Sequence, residues 1–211
     1  SFMNKADILF LLQTLKDRYP DVKTQLVHKT PFQLLTATIL SAQCTDRQVN
    51  QVTQQLFARF PDPGALAEAS LADIKKLIYS TGFYNNKAKN IKACARALLD
   101  RHNGQVPDDL DLLVKLPGVG RKTANVVRSA AFNHPAIVVD THVLRISFRL
   151  GLTKNRDPVK VEFDLMKIIP ESAWSDLSLQ LIYFGREICD ARKPLCKTCP
   201  LFDICVFKKK G

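Results

Sequence analysis

Four cysteines near the end of the chain, Cys189, Cys196, Cys199 and Cys205, follow the spacing C-x6-C-x2-C-x5-C. Four thiolates within so short a segment can close round one metal centre at little cost in loop entropy. Zinc and a [4Fe–4S] cluster both accept four cysteines. Zinc sites usually pair two C-x2-C knuckles and only one is present, so the unequal spacing suits the larger cubane better. Arg192 and Lys193 sit inside the first inter-cysteine loop, where a rigid centre would aim both cations outward towards a phosphate; two solvated surface cations are the equal alternative. Of the other two cysteines, Cys94 lies on the apolar stripe of a helix and reads as a core thiol, and Cys44 also reads as structural.

A second constellation is Leu116-Pro117-Gly118-Val119-Gly120-Arg121-Lys122-Thr123, a glycine turn between two short helices. Gly118 and Gly120 let the chain turn where side chains would clash, and they bring backbone N–H groups to the surface. Those donors open the following helix, where the dipole also favours an anion such as a phosphate. The spacing is not that of a Walker loop. Lys122 meets the positive end of the helix dipole beside Arg121, and both effects bring a neutral, nucleophilic amine within reach. Such an amine can attack an electrophilic sugar carbon and form a Schiff base, while the plainer reading of the residue alone is a lysine that contacts a phosphate or solvent. Eighteen residues on from Lys122, Val139-Asp140-Thr141-His142 precedes another helix. Asp140 is placed as its N-cap, and could also steady a developing cation. His142 could touch a phosphate or occupy a polar face.

The elements that must carry these residues are helices. Ile8, Leu11, Leu12 and Leu15 form one apolar stripe, and Thr30-Pro31 reads as the cap and first residue of a second helix. Further helices are expected from Asp46, over Ser70–Tyr79, Asn86–His102, Asp109–Lys115, Arg121–Phe132 and Asp140–Leu150, then over about 157–169 and 173–188. Only Ala136–Val139 hints at a strand. The expected class is all-α, with about ten helices and an irregular cysteine-rich tail. The 211 residues are 46% hydrophobic and 24% charged, ordinary globular proportions that exclude disordered and fibrous classes. A net charge of +11, spread along the chain, points to a basic face for a polyanion. No apolar run is long enough to span a membrane, no signal peptide is evident, and an intracellular protein is expected. Ser1-Phe2 ahead of Met3 reads as a remnant of expression.

Taken together, Leu116–Asn125, Val139–His142, Leu40-Ser-Ala-Gln43, Thr81-Gly-Phe-Tyr-Asn85 with Lys87-Ala88, and the four-cysteine tail resemble the endonuclease III family of helix–hairpin–helix DNA glycosylases. The resemblance runs over essentially the whole chain from Met3. It implies two helical lobes flanking a DNA-binding cleft. One is a six-helix lobe over 24–134, with the helix–hairpin–helix at about 109–132. The other comprises 3–23 plus 135–211 and carries a [4Fe–4S] cluster loop at 189–205. It further implies that Lys122 is the nucleophile, Asp140 the essential carboxylate, and Cys189, Cys196, Cys199 and Cys205 the cluster ligands. Gly118, Gly120, Arg121, Thr123, His142, Arg192 and Lys193 are the accompanying candidates for DNA contact. Gln43 and Phe83 match positions that fill the hole left by a flipped nucleotide. Leucine is common at the second of these, and a flat phenyl ring there could stack on the orphaned base.

The implied activity is that of a bifunctional DNA glycosylase and AP lyase in base excision repair. It would remove oxidised pyrimidines from duplex DNA through a lysine Schiff base and cleave 3′ to the site by β-elimination. The expected partner is double-stranded DNA with damaged bases or abasic sites, bound by a monomer in a bacterial cytoplasm. Three other readings compete. A monofunctional mismatch glycosylase of the same superfamily would lack Lys122, and a metal-stabilised DNA-binding module would not need both Lys122 and Asp140. An electron-transfer ferredoxin would leave the basic charge unexplained.

Overall fold

The computed structural model describes residues 3–207, so Ser1 and Phe2, and with them the expected expression remnant, lie outside it. Eleven α-helices carry the described chain: α1 (Lys5–Arg18), α2 (Pro31–Leu40), α3 (Asp46–Arg59), α4 (Pro63–Glu68), α5 (Leu71–Ile78), α6 (Tyr84–His102), α7 (Leu110–Leu113), α8 (Arg121–Phe132), α9 (Thr141–Leu150), α10 (Pro158–Ile168) and α11 (Trp174–Glu187). Short 3-10 turns precede α6 and α11, and two more lie in the cysteine tail. The all-α class holds.

The chain divides into two compact units, Thr24–His134 and the described parts of 1–23 with 135–211. In the first, α2 is the central helix. Phe32 to Leu40 are all buried, which fits a helix apolar on every side. Threonines on α2 avoid orphaned hydroxyls by bonding back one turn, Thr36 to the Phe32 carbonyl and Thr38 to the Leu34 carbonyl. Around it, α8 packs on α2, while α4 and α5 pack on α6. The second unit centres on α9 and α11, with α1 laid against α11. Leu11, Leu15, Ile146, Leu181 and Phe184 meet in its core.

Two sequence expectations need correction. The segment Ala136–Val139 forms no strand among the described residues, and serine hydroxyls of α11 take two of its donors. The N–H of Ala136 donates to Ser175 Oγ at 3.3 Å, and that of Val138 to Ser178 Oγ at 3.0 Å. Satisfied that way, the run stays single and buried. Helix α4, not expected, is only six residues long, too short to show a period. Its Asp62-Pro63 start nonetheless carries the signal that Thr30-Pro31 does, with Asp62 Oδ1 accepting from Ala65 N at 2.9 Å.

The turn ahead of α8 demands glycine at one position. Gly118 has φ +75°, and a Cβ there would lie 2.8 Å from Asn90 Cβ on α6. Both the dihedral and the close approach exclude a side chain. Gly118→Ala should lower the free energy of unfolding by about 1–3 kcal/mol, read from urea-denaturation midpoints. An unchanged midpoint would mean that the hairpin does not need this approach.

Candidate active site and cysteine loop

In the unit Thr24–His134, the segment between α7 and α8 is closed by Leu116 N to Leu113 O and Val119 N to Leu116 O. Leu116 and Val119 are buried anchors, so Pro117 to Gly120 must arch over them. Gly120 is the N-cap of α8, with extended backbone and no side-chain cap. No side chain therefore takes up the N–H groups of Lys122 and Thr123 in the first turn of α8. Lys122 is exposed in that turn, and no hydrogen bond or ion pair ties its amine among the described residues. Arg121 and Thr123 on either side are half-buried, Arg121 with partners of its own.

The same unit holds Gln43 and Phe83, both non-glycine residues in the left-handed region, at φ 52° and 48°. Gln43 is exposed in the turn between α2 and α3. Phe83 starts α6 without a side-chain cap, and its ring is 64% exposed. Tyr79, 65% exposed, stacks obliquely on Tyr84 with centroids 4.8 Å apart, making an aromatic patch round Gly82. Gln48 Nε2 donates to Ser80 Oγ at 2.6 Å and ties α3 to this turn. Cys94 is a core thiol, 2% exposed, its pKa pushed by burial up to about 12.

In the other unit, Asp140 caps α9. Its Oδ1 accepts from Val143 N at 2.8 Å, and its Oδ2 lies 3.1 Å from His142 Nδ1. The side chain is 15% exposed. One oxygen thus fixes the helix start while the other holds an imidazole. Opposite them, Gly185 of α11 allows close packing, since a Cβ there would meet His142 Cδ2 at 2.7 Å. His142 is held by Asp140 and packed against α11, which defines its setting more closely than a solvated polar face.

The four cysteines Cys189, Cys196, Cys199 and Cys205 line one open cavity of about 380 Å³. Its remaining wall is largely apolar, with Leu150, Phe184, Ile188, Leu195 and Phe202. None of the four is in a disulfide. Burial pushes the Cys199 thiol up, and the neighbouring sulfurs of Cys205, Cys189 and Cys196 add to it. Four soft sulfur donors round one largely apolar pocket are the donor set that a polynuclear iron–sulfur group takes. No group of three or more Cys, His, Asp or Glu set to hold a metal ion occurs among the described residues. Backbone and side-chain donors already face the sulfurs: Leu201 N and Arg149 Nη1 each lie 3.4 Å from one, Cys199 and Cys189 respectively. Within the loop, Asp190 Oδ1 accepts from both Arg192 N and Lys193 N at 2.8 Å. That turn leaves the Arg192 and Lys193 side chains exposed.

Sequence reasoning missed the two arginines that hold this loop. Arg149 donates to the carbonyls of Asp190 and Ala191, both at 2.9 Å, and Arg145 to that of Cys189 at 3.0 Å. The available signal was their i, i+4 spacing on the face of α9 nearest the tail. Further along, the Arg149 carbonyl accepts from Phe207 N at 3.1 Å and from Cys205 Sγ at 3.4 Å.

An all-helical chain with a glycine hairpin, an exposed lysine at an open helix start and a capping aspartate has the parts of a helix–hairpin–helix DNA-repair glycosylase. The model of the HhH-GPD superfamily base excision DNA repair protein matches residues 36–171. An endonuclease III from Synechocystis is 53% identical over 196 residues, 92% of this chain and 90% of that one. A solved non-covalent endonuclease III–DNA complex superposes with a TM-score of 0.93 at 47% identity, covering 98% of this chain and 97% of that one. A trapped endonuclease III–DNA covalent intermediate, the estranged-adenine complex, matches with TM-score 0.93 at 47% identity over 98% of each chain. The chain belongs to the HhH-GPD superfamily, and within it to the endonuclease III family.

The two bonds of Asp140 can be separated by substitution. Asp140→Ala should cost about 1 kcal/mol of stability through the lost cap, whereas Asp140→Asn keeps the capping oxygen and should cost only a few tenths. Guanidinium unfolding of both variants checks this. Equal losses would show that the charge, not the cap, is what stabilises α9.

Proposed function

We propose that the protein is a bifunctional DNA glycosylase and AP lyase of base excision repair, removing oxidised pyrimidines from duplex DNA and cleaving 3′ to the site. The observation that carries the mechanism is Lys122, an untethered amine in the first turn of a helix whose N-terminus no side chain closes. The partner is double-stranded DNA with damaged bases or abasic sites. The proposed location is the bacterial cytoplasm, at the nucleoid. Among the described residues no helix is long and apolar enough to cross a membrane.

The target nucleotide leaves the stack, because C1′ is unreachable inside it, and a poorly stacked lesion leaves at lower cost. Lys122 Nζ, in its neutral form, attacks C1′. The C1′–N bond breaks, and its electron pair departs with the base, which takes up a proton. Loss of the amine proton and opening of the sugar ring give an imine between Nζ and C1′. A proton then leaves C2′, and the C3′–O bond breaks with its electrons on the 3′ phosphate, which is β-elimination. Asp140, anionic and fixed by Val143 N and His142, stabilises the cationic sugar as the base departs. The hairpin N–H groups and Thr123 hold a phosphate, and Arg121, Arg192 and Lys193 add cationic attraction to the backbone.

Cys189, Cys196, Cys199 and Cys205 are the proposed ligands of a [4Fe–4S] cluster. A bound cluster would cross-link four points of the tail and stiffen the turn that carries Arg192 and Lys193. Its loss by Cys199→Ser should give protein depleted in iron and sulfide, with weaker DNA binding. Colourless, zinc-loaded and fully active wild-type protein would overturn the assignment.

Borohydride reduction of the protein mixed with abasic-site duplex tests the chemistry. The wild type should form a stable covalent adduct, and Lys122→Ala should form none, with excision falling by roughly a thousandfold or more. An adduct undiminished in Lys122→Ala would place the nucleophile elsewhere.

A further inference from the structure

One residue grips the exposed Phe83 turn from both sides. The backbone N–H of Lys87 donates to the Phe83 carbonyl at 3.0 Å, and its Nζ reaches back to the Thr81 carbonyl at 2.8 Å. Between those two bonds lie Gly82, at φ 74°, and Phe83, at φ 48°. A phenylalanine in the left-handed region persists only where its surroundings over-determine it. Phe83 receives no help from a cap, since α6 has none. Lys87 is 4% exposed, and an ammonium is seldom buried without a task. Cys44, the residue after Gln43, is the other titratable group within electrostatic reach of it. Thr81, itself 3% exposed, spends its hydroxyl on the Ile78 carbonyl, leaving its own carbonyl to Lys87.

We infer that Lys87 is a positioning residue for excision. It holds the Gly82–Phe83 turn in the strained form that presents the phenyl ring, so that the ring can occupy the gap of an everted nucleotide without first being ordered. This rests on the base-flipping reading of the site. Lys87 touches neither the sugar nor the base and acts through Phe83.

The test is a double-substitution cycle in the full-length protein. Lys87→Met keeps the unbranched apolar stem and removes the donor, and Phe83→Ala removes the ring. Single-turnover excision from a duplex should fall roughly tenfold in Lys87→Met, as expected for a lost buried charged hydrogen bond. Adding Lys87→Met to Phe83→Ala should cause no further fall. A fluorescent adenine analogue opposite the lesion should report weaker stacking in Lys87→Met, while cleavage of an abasic site in single-stranded DNA stays at the wild-type rate. Multiplicative losses in the double variant, or full duplex excision by Lys87→Met, would overturn the inference. Should Lys87→Met unfold at lower denaturant, Lys87→Gln, which restores a donor, must recover both stability and excision if the role is as stated. The glycosylase reading itself fails separately, by absence of a borohydride adduct in the wild type.

Discussion

The governing constraint is the fate of the N–H groups that every helix start leaves unpaired. Eight of the eleven helices close their first turn with an Asn, Asp, Ser or Thr side chain. Three do not, among them α6 and α8, which open at Phe83 and Gly120. A capped start is stabilised internally and has little left to offer a ligand, whereas an open start keeps its donors and its dipole for an anion. The starts of α6 and α8 stand on packed support: Gly118 is pressed on Asn90, and Phe83 is bridged by Lys87.

Asp140 shows how one residue can serve both ends. Its Oδ1 closes α9 as any capping aspartate would, and its Oδ2 remains turned towards His142. Because the cap fixes the carboxylate, its orientation is already set in the folded chain. The same helix secures the cysteine loop at its far end through Arg145 and Arg149. A single ten-residue element therefore sets the direction of the aspartate and the path of the cysteine-rich tail.

Much of this was legible from residue types. Apolar periodicity and capping residues located most helices, because both depend on contacts between near neighbours in the chain. The start of α8, and Lys122 within it, followed from two glycines and a dipole argument. Helix α4 escaped because six residues cannot display a period, and Ala136–Val139 looked like a strand because a run of apolar residues does not say what satisfies its backbone. Lys87 was invisible for a different reason. In the run Asn85-Asn86-Lys87-Ala88-Lys89-Asn90, lysine type alone suggests solvent, and only the path of the 3-10 turn ahead of α6 brings a carbonyl to meet it. The arginines under the cysteine loop were hidden likewise, since their partners lie some forty residues away in the chain.

The split of one unit across both chain ends has a consequence for biogenesis. Helix α1 finds its partner α11 only through long-range contacts, Arg18 and Tyr19 both bonding Glu187 across more than 160 residues. On the ribosome, α1 emerges before α11 and must wait on the order of ten seconds or more for it to be made, its apolar stripe uncovered meanwhile. The intervening unit can condense from contacts within its own span during that delay. Vectorial synthesis therefore imposes an assembly order, with the inserted unit finished before the unit that it interrupts.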